Sequence, residues 1–164
     1  MTILPQQLND KRSKMCNSFR APLPQEDEEF LQMFEQCSLS GKCWTHVAHV
    51  RMAWLQMQRS ASYDEALDRI RKGIMAFNAS VQSVGYHETI TVAFARLIFH
   101  RRETQPAECW QEFLELHEDL ISKETPILHV YYSPELLATP EARAFFVEPD
   151  RKPLPEVMVG VGEL

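Results

Sequence analysis

The sequence predicts an all-α protein, an irregular helical bundle of about five main helices followed by short C-terminal helices. Two observations carry this prediction. Apolar residues recur at spacings of three and four through most of the chain, as they do on one face of a helix. No segment alternates apolar and polar residues convincingly, which argues against strands and leaves helices as the main elements.

Residues 1–24 mix Gln, Asn, Lys, Ser and Pro without periodicity, which predicts a disordered N-terminal tail. A single helical domain is expected over residues 25–150, and an extended C-terminal tail over residues 151–164. The domain would begin at PQEDEEFLQMFEQC, where acidic residues in the first turn complement the positive end of the helix dipole. Phe30, Leu31 and Phe34 form its apolar edge.

The second helix is predicted from Thr45 to about Arg59, in WTHVAHVRMAWLQMQR. Its inner face would carry His46, with His49 at the border of that face, and its outer side would carry Arg51, Leu55, Gln58 and Arg59. The next helix starts at SYDE, a capping box in which Ser62 and Glu65 satisfy main-chain amides at the helix start. Its apolar face comprises Ala66, Leu67, Ile70, Ile74, Phe77 and Val81.

A fourth helix is predicted in YHETITVAFARLIFHRRE, after a break at Gly85. Thr89, Arg96 and His100 form its clearest polar stripe, and we expect that stripe to face water. A fifth helix is expected to start at Thr104 and Pro106. Three pairs of a capping residue followed by proline then predict short helices: Thr125-Pro126, Ser133-Pro134 and Thr139-Pro140.

Composition excludes several function classes. The formal net charge is −6, and no helix carries a basic stripe with interleaved aromatic residues, so binding to nucleic acid is not expected. No apolar run is long enough for an export signal or a membrane span, so no membrane association is expected. The four cysteines lack a CxxC pair and are expected to be reduced, which indicates a cytoplasmic protein.

The residues that could carry chemistry lie on two of the predicted helices. His46 and His49 would point into the bundle from one helix, and His87 and Glu88 from the start of another. Helical bundles build metal sites from such inward side chains, and the carboxylate would offset the metal charge. The sequence thus predicts a divalent transition metal (Fe, Zn or Mn) on these four residues, with Glu88 as a ligand or as the catalytic general base.

Four further residues are predicted to bind a small organic substrate: Trp54, Thr91, Tyr131 and Arg143. Each also has an ordinary structural interpretation. A tyrosine such as Tyr131 packs against other aromatic rings by default, and Arg143 could form a surface salt bridge. A single inward histidine is more often a hydrogen-bonded core residue than a metal ligand.

Two function hypotheses follow from these residues. The first is a small metal-dependent enzyme, an oxygenase or a hydrolase. The second is a non-catalytic helical module that binds a ligand or a protein, with core histidines that serve only as hydrogen-bonding groups. A homodimer is left open under both hypotheses.

The chain also resembles a family of uncharacterised bacterial all-helical proteins. The resemblance covers roughly residues 28–155. It rests on the aromatic-x-His-x-x-His helix, on the Tyr-His-Glu-Thr-x-Thr run at residues 86–91, and on the segment from Tyr131 to Asp150. It implies a bacterial helical protein, and it implies no particular activity, substrate or cofactor.

Overall fold

A computed structural model describes residues 25–157 of the chain. Within this range the chain is helical and contains no β-strand, which confirms the predicted all-α class. Five main helices are followed by three short ones. Their bounds are α1 Gln25–Glu35, α2 His46–Arg59, α3 Tyr63–Ser80, α4 Glu88–Thr104, α5 Trp110–Leu116, α6 Leu128–Tyr131, α7 Pro134–Leu137 and α8 Pro140–Ala144. The predicted N-terminal tail, residues 1–24, and residues 158–164 of the predicted C-terminal tail lie outside the described residues.

Helix α2 is the centre of the bundle and contacts α1, α3, α4 and α5. It starts where the Thr45 hydroxyl accepts from the amide of Ala48. Residues 52–57 are all buried, so the predicted outer side of this helix is only partly exposed. Leu55 in particular is fully buried, contrary to the prediction. The reason is that α1 covers this side, where Asp27 accepts from Arg51 at 3.1 and 2.5 Å.

Helix α3 begins with the predicted capping box. The Ser62 hydroxyl accepts from the Glu65 amide at 3.2 Å, and the Glu65 carboxylate accepts from the amide of Ala61 at 2.9 Å. The predicted apolar positions of this helix are buried as far as Phe77, whereas Val81 follows the last turn and is exposed. The predicted amphipathic face therefore faces the bundle along almost the whole helix.

Helix α4 differs from its prediction on one side. Thr89 is fully buried, although the predicted polar stripe on which it lies was expected to face water. The hydroxyl of Thr89 donates to the carbonyl of Phe145 at 2.8 Å and accepts from the amide of Val147 at 3.2 Å. Farther along the stripe, the guanidinium of Arg96 lies 4.7 Å from the ring centre of Phe146. The C-terminal part of the chain thus covers this stripe.

The C-terminal part begins with α5, which starts at Trp110 rather than at Thr104, the last residue of α4. Two of the three predicted capping pairs start a helix: Ser133 caps α7 and Thr139 caps α8, each with proline in the first turn. The hydroxyl of Thr125 contacts Ser122 instead and caps no helix.

Residues 145–157 have no regular secondary structure but pack against the bundle; we call them the C-terminal segment. Its Asp150 carboxylate accepts from the amide of Ser133 at 2.7 Å and from its hydroxyl at 2.5 Å. Leu154 is only 7% exposed, so the segment joins the core beyond residue 150. No helix in the described part of the chain is long and apolar enough to cross a lipid bilayer.

Helix α3 packs closely against the Phe34 ring at Gly73. A Cβ atom placed on Gly73 would lie 2.6 and 2.8 Å from two atoms of the Phe34 ring. That ring is fully buried and is stacked on Trp44 at 4.8 Å between ring centres. The ring therefore has little room to move away from an added methyl group.

We predict that Gly73→Ala lowers the free energy of unfolding by about 1–3 kcal/mol, because overpacking outweighs the roughly 1 kcal/mol that alanine contributes to helix formation. Urea unfolding measures the difference. Gly41→Ala is the matched control, since a Cβ atom there meets nothing within 4 Å. A variant Gly73→Ala as stable as the wild type would contradict this packing.

Candidate functional site

The two histidines of the predicted HxxH pair lie in the first turn of α2, and each has a main-chain partner. The Nε2 atom of His46 donates to the carbonyl of Leu120 at 2.8 Å, and its ring lies edge-on to Phe94. The Nδ1 atom of His49 donates to the carbonyl of Thr45 at 2.7 Å, and its ring lies 3.8 Å from that of Trp44. A ring nitrogen that donates to a carbonyl carries a proton and cannot bind a metal ion at the same time.

The third histidine, His87, was predicted to lie within the fourth helix. In the structure it is the N-cap of α4, one residue before the first turn. Its Nδ1 atom accepts from the amide of Ile90 at 3.2 Å. Its Nε2 atom donates to the carbonyl of Leu137 at 2.8 Å. Both ring nitrogens of this buried side chain are therefore bound to main-chain groups, which fixes one neutral tautomer.

The predicted ligands are not brought together. In residues 25–157, no group of three or more His, Cys, Asp or Glu side chains is arranged to hold a metal ion. His46 and His49 are neighbours on α2, while His87 and Glu88 lie at the start of α4. Inward orientation, which helix periodicity predicts, thus leads here to separate main-chain partners rather than to one shared site.

Glu88 has two partners that the sequence did not assign to it. Its carboxylate accepts from the guanidinium of Arg71 on α3 and from the hydroxyl of Tyr86. Burial opposes the charge of Arg71, but the hydrogen bond to Glu88, the charge of Glu88 and smaller effects of two tyrosines together outweigh burial and raise the pKa of Arg71. Burial and the hydrogen bond to Glu88 raise the pKa of Tyr86 to about 12. Glu88 therefore belongs to a charged, hydrogen-bonded group between two helices.

Two of the four predicted substrate-binding residues lie next to this group. The Thr91 hydroxyl donates to the carbonyl of His87 at 2.8 Å, and Nη1 of Arg143 lies 3.5 Å from the carbonyl of Tyr86. The structure thus places Thr91 and Arg143 around the N-terminal end of α4.

The other two predicted substrate-binding residues lie elsewhere in the core. Trp54 is 3% exposed and packs against the rings of Trp110 and Phe113, 6.1 and 5.4 Å away. Tyr131 is buried at the end of α6, with the ammonium of Lys152 5.9 Å from its ring centre. Both are placed as core aromatic residues.

No role was predicted for Arg71 or Tyr63, both on α3. The Tyr63 hydroxyl and the Arg71 Nε atom are buried and form no hydrogen bond of normal geometry within the described residues. A signal for Arg71 was present: this charged residue sits directly beside the apolar face, next to Ile70. Tyr63 is the first residue of α3, and no local pattern in the sequence marks its hydroxyl as lacking a partner.

His117 illustrates the core role of a histidine in this fold. It is 1% exposed, its Nε2 atom donates to the carbonyl of Gln105 at 3.2 Å, and its Nδ1 atom faces the guanidinium of Arg101 at 3.3 Å. Burial lowers the pKa of His117, and it also lowers the pKa of His49. The folded state therefore favours the neutral form of both rings.

These lowered pKa values give stability a pH dependence. Unfolded histidines titrate near about 6.5, so between the lower folded pKa and this value the unfolded chain binds more protons. The stability that the neutral His49 and His117 rings contribute is fully present above about pH 6.5. It is lost as the pH falls through their pKa values in the folded protein. We predict that the free energy of unfolding decreases from about pH 7 to about pH 5, and that His117→Gln reduces this decrease.

Urea unfolding at a series of pH values tests this prediction. His129→Gln is the matched control, because His129 is exposed and should keep the wild-type pH dependence. An unchanged pH dependence in His117→Gln would contradict the role of that ring.

For the group around Glu88 we predict that Glu88→Gln lowers the free energy of unfolding by about 1–2 kcal/mol. The figure is moderate because Arg71 is 36% exposed, while the Glu88 side chain is only 13% exposed. Thermal or urea unfolding measures it. Asp68→Asn, in an exposed pair with Lys72, is the control and should cost less than about 0.5 kcal/mol. Equal effects of the two substitutions would argue against a special role for the Glu88 carboxylate.

Comparisons of this chain with protein-family models, with curated proteins and with solved structures gave no match. The resemblance to an uncharacterised bacterial helical family therefore stays a prediction. What the chain does has to be argued from its own geometry.

Proposed function

We propose that this chain is a non-catalytic helical module that binds a small ligand, and that its buried histidines are structural. The carrying observation is that two histidines of the predicted metal site bind carbonyls from distant parts of the chain. His46 binds a carbonyl 74 positions away in sequence, and His87 one 50 positions away.

These two hydrogen bonds satisfy carbonyls that have no other donor within their own helix. Leu120 ends a short 3-10 turn and Leu137 ends α7, and the last carbonyls of a helix have no partner inside it. A buried carbonyl without a donor costs about 1–3 kcal/mol. His46 and His87 supply the donors: His46 ties the 3-10 turn to α2, and His87 ties α7 to the start of α4.

The group around Glu88 supports the binding part of the proposal. It combines a half-buried carboxylate and guanidinium with a tyrosine hydroxyl, and Thr91 and Arg143 lie beside it. Binding sites for small molecules typically place a few such polar groups within apolar surroundings. Here those surroundings are supplied by the core faces of α3 and α4.

The metal-dependent enzyme stays a prediction from the sequence, as an oxygenase or hydrolase with Fe, Zn or Mn on His46, His49, His87 and Glu88. A bacterial origin, a cytoplasmic location and a homodimer stay predictions as well. No observation on residues 25–157 favours the enzyme over the ligand-binding module, and none bears on the origin, the location or the homodimer.

Substitution at His46 separates the two functions. We predict that His46→Ala lowers the free energy of unfolding by about 1–3 kcal/mol, because the carbonyl of Leu120 loses its donor. His46→Gln should recover part of this loss, since the glutamine amide can donate to the same carbonyl. Urea unfolding of the two variants and of the untagged wild type, each with and without a chelator, provides the comparison.

Metal analysis of the same preparations distinguishes a structural role of His46 from a role as a metal ligand. Near-stoichiometric transition metal in the wild type that is absent from both variants would overturn the proposed function and support the enzyme. Stability that does not respond to the chelator, with partial recovery in His46→Gln, supports a structural histidine.

A further inference from the structure

We infer that Tyr63, Arg71 and Arg96 form a binding site for a small oxyanion, a carboxylate or a phosphate group, between α3, α4 and the C-terminal segment. The inference rests on the proposed ligand-binding function and names the chemical class of its ligand.

Tyr63 provides the first observation. Its side chain is 8% exposed, and its ring is held edge-on to Phe99 at 5.4 Å between ring centres. Its buried hydroxyl lies near the guanidinium of Arg96, which can only donate, and it has no acceptor among the described residues. Buried tyrosine hydroxyls almost always have a partner, because an unsatisfied one costs about 1–3 kcal/mol. The hydroxyl is thus a donor that lacks an acceptor.

Arg71 provides the second observation. Its guanidinium donates to Glu88 through Nη2, but its Nε atom is buried and unpaired among the described residues. A guanidinium has five N–H groups arranged to bind two oxygen atoms at once. The ion pair with Glu88 therefore leaves part of the donor capacity of Arg71 unused inside the protein.

Arg96 provides the third observation. It is half-buried on α4, and its guanidinium lies over the ring of Phe146. No carboxylate within residues 25–157 forms an ion pair with it. An arginine that is held between a ring and a helix without an anion is well placed to receive one.

These donors are neighbours. Burial raises the pKa of the Tyr63 hydroxyl, and the charges of Arg96 and Arg71 act on the same hydroxyl in the opposite direction. The packing agrees with this: Tyr63 and Arg71 both lie on α3 and contact α4, at Phe99 and Glu88, and Arg96 lies about one turn before Phe99. The charge of Asp64 also reaches the Tyr63 hydroxyl, but it is the weakest of these effects, and Asp64 itself is exposed in the first turn of α3.

Charge and hydrogen bonding together define the ligand class. Among the described residues the carboxylate of Glu88 is ion-paired with Arg71 and none is ion-paired with Arg96, although the charges of Glu148 and Asp150 reach Tyr132 beside Arg96. A cation would be repelled there, and a neutral apolar molecule would leave the donors unsatisfied. An oxyanion accepts from all three side chains and gains charge-assisted hydrogen bonds from the two arginines.

Isothermal titration calorimetry of the full chain at low ionic strength tests the site, with inorganic phosphate and acetate as separate probes and chloride as the reference anion. We expect saturable binding of phosphate or acetate, and tighter binding of one identifies the group that the natural ligand carries. Arg96→Gln should weaken that binding by about tenfold, the loss of one charge-assisted hydrogen bond.

Arg69→Gln is the matched control, because Arg69 lies on α3 and pairs with Glu65 at the exposed surface. It should leave the affinity nearly unchanged. Tyr63→Phe is a second variant that removes only the hydroxyl and should weaken binding while the fold is retained. If Tyr63→Phe does not fold, the difference in affinity between Arg96→Gln and Arg69→Gln still tests the oxyanion site.

Absence of saturable binding of both probes would overturn the inference, and so would equal weakening by Arg96→Gln and Arg69→Gln. Such a failure is distinguishable from failure of the proposed function. If His46→Ala loses stability, His46→Gln recovers part of it and no metal is found, the proposed function stands and only the oxyanion site is rejected. If the protein contains stoichiometric metal at the histidines, the proposed function itself fails.

Discussion

Main-chain carbonyls in the C-terminal half of this protein need hydrogen-bond donors from the bundle, and this requirement organises the structure. Three short helices and an irregular segment leave many carbonyls without helical partners. Side chains of α2 and α4 supply donors: His46 to Leu120 and Thr89 to Phe145, both at 2.8 Å. The polar residues that looked chemical in the sequence are largely those that meet this demand.

The helix class and most helix starts were predictable because their causes are local. Thr45, Ser62, Ser133 and Thr139 each cap the helix that follows, since a side-chain oxygen next to free amides acts over only a few residues. The inward orientation of His46 was predictable for the same reason. Its partner was not, because a carbonyl 74 positions away leaves no trace in the local spacing.

The errors in the predicted outer faces have a common origin. Helix periodicity shows which side of a helix is more apolar, but it does not show how many neighbours the helix has. Leu55 is buried because α1 covers the less apolar side of α2. Thr89 is buried because the C-terminal segment lies across α4. A central helix and a covered polar stripe are both consequences of tertiary packing, which overrides a single-helix pattern.

The bond between Asp150 and Ser133 has a consequence for where the folding unit ends. The Ser133 hydroxyl that caps α7 also donates to Asp150, so the start of one helix depends on a residue 17 positions further along. Because Leu154 closes part of the core beyond this point, a fragment cut after residue 150 would expose an apolar gap. Expression boundaries chosen for a minimal domain should therefore retain the chain through Leu154.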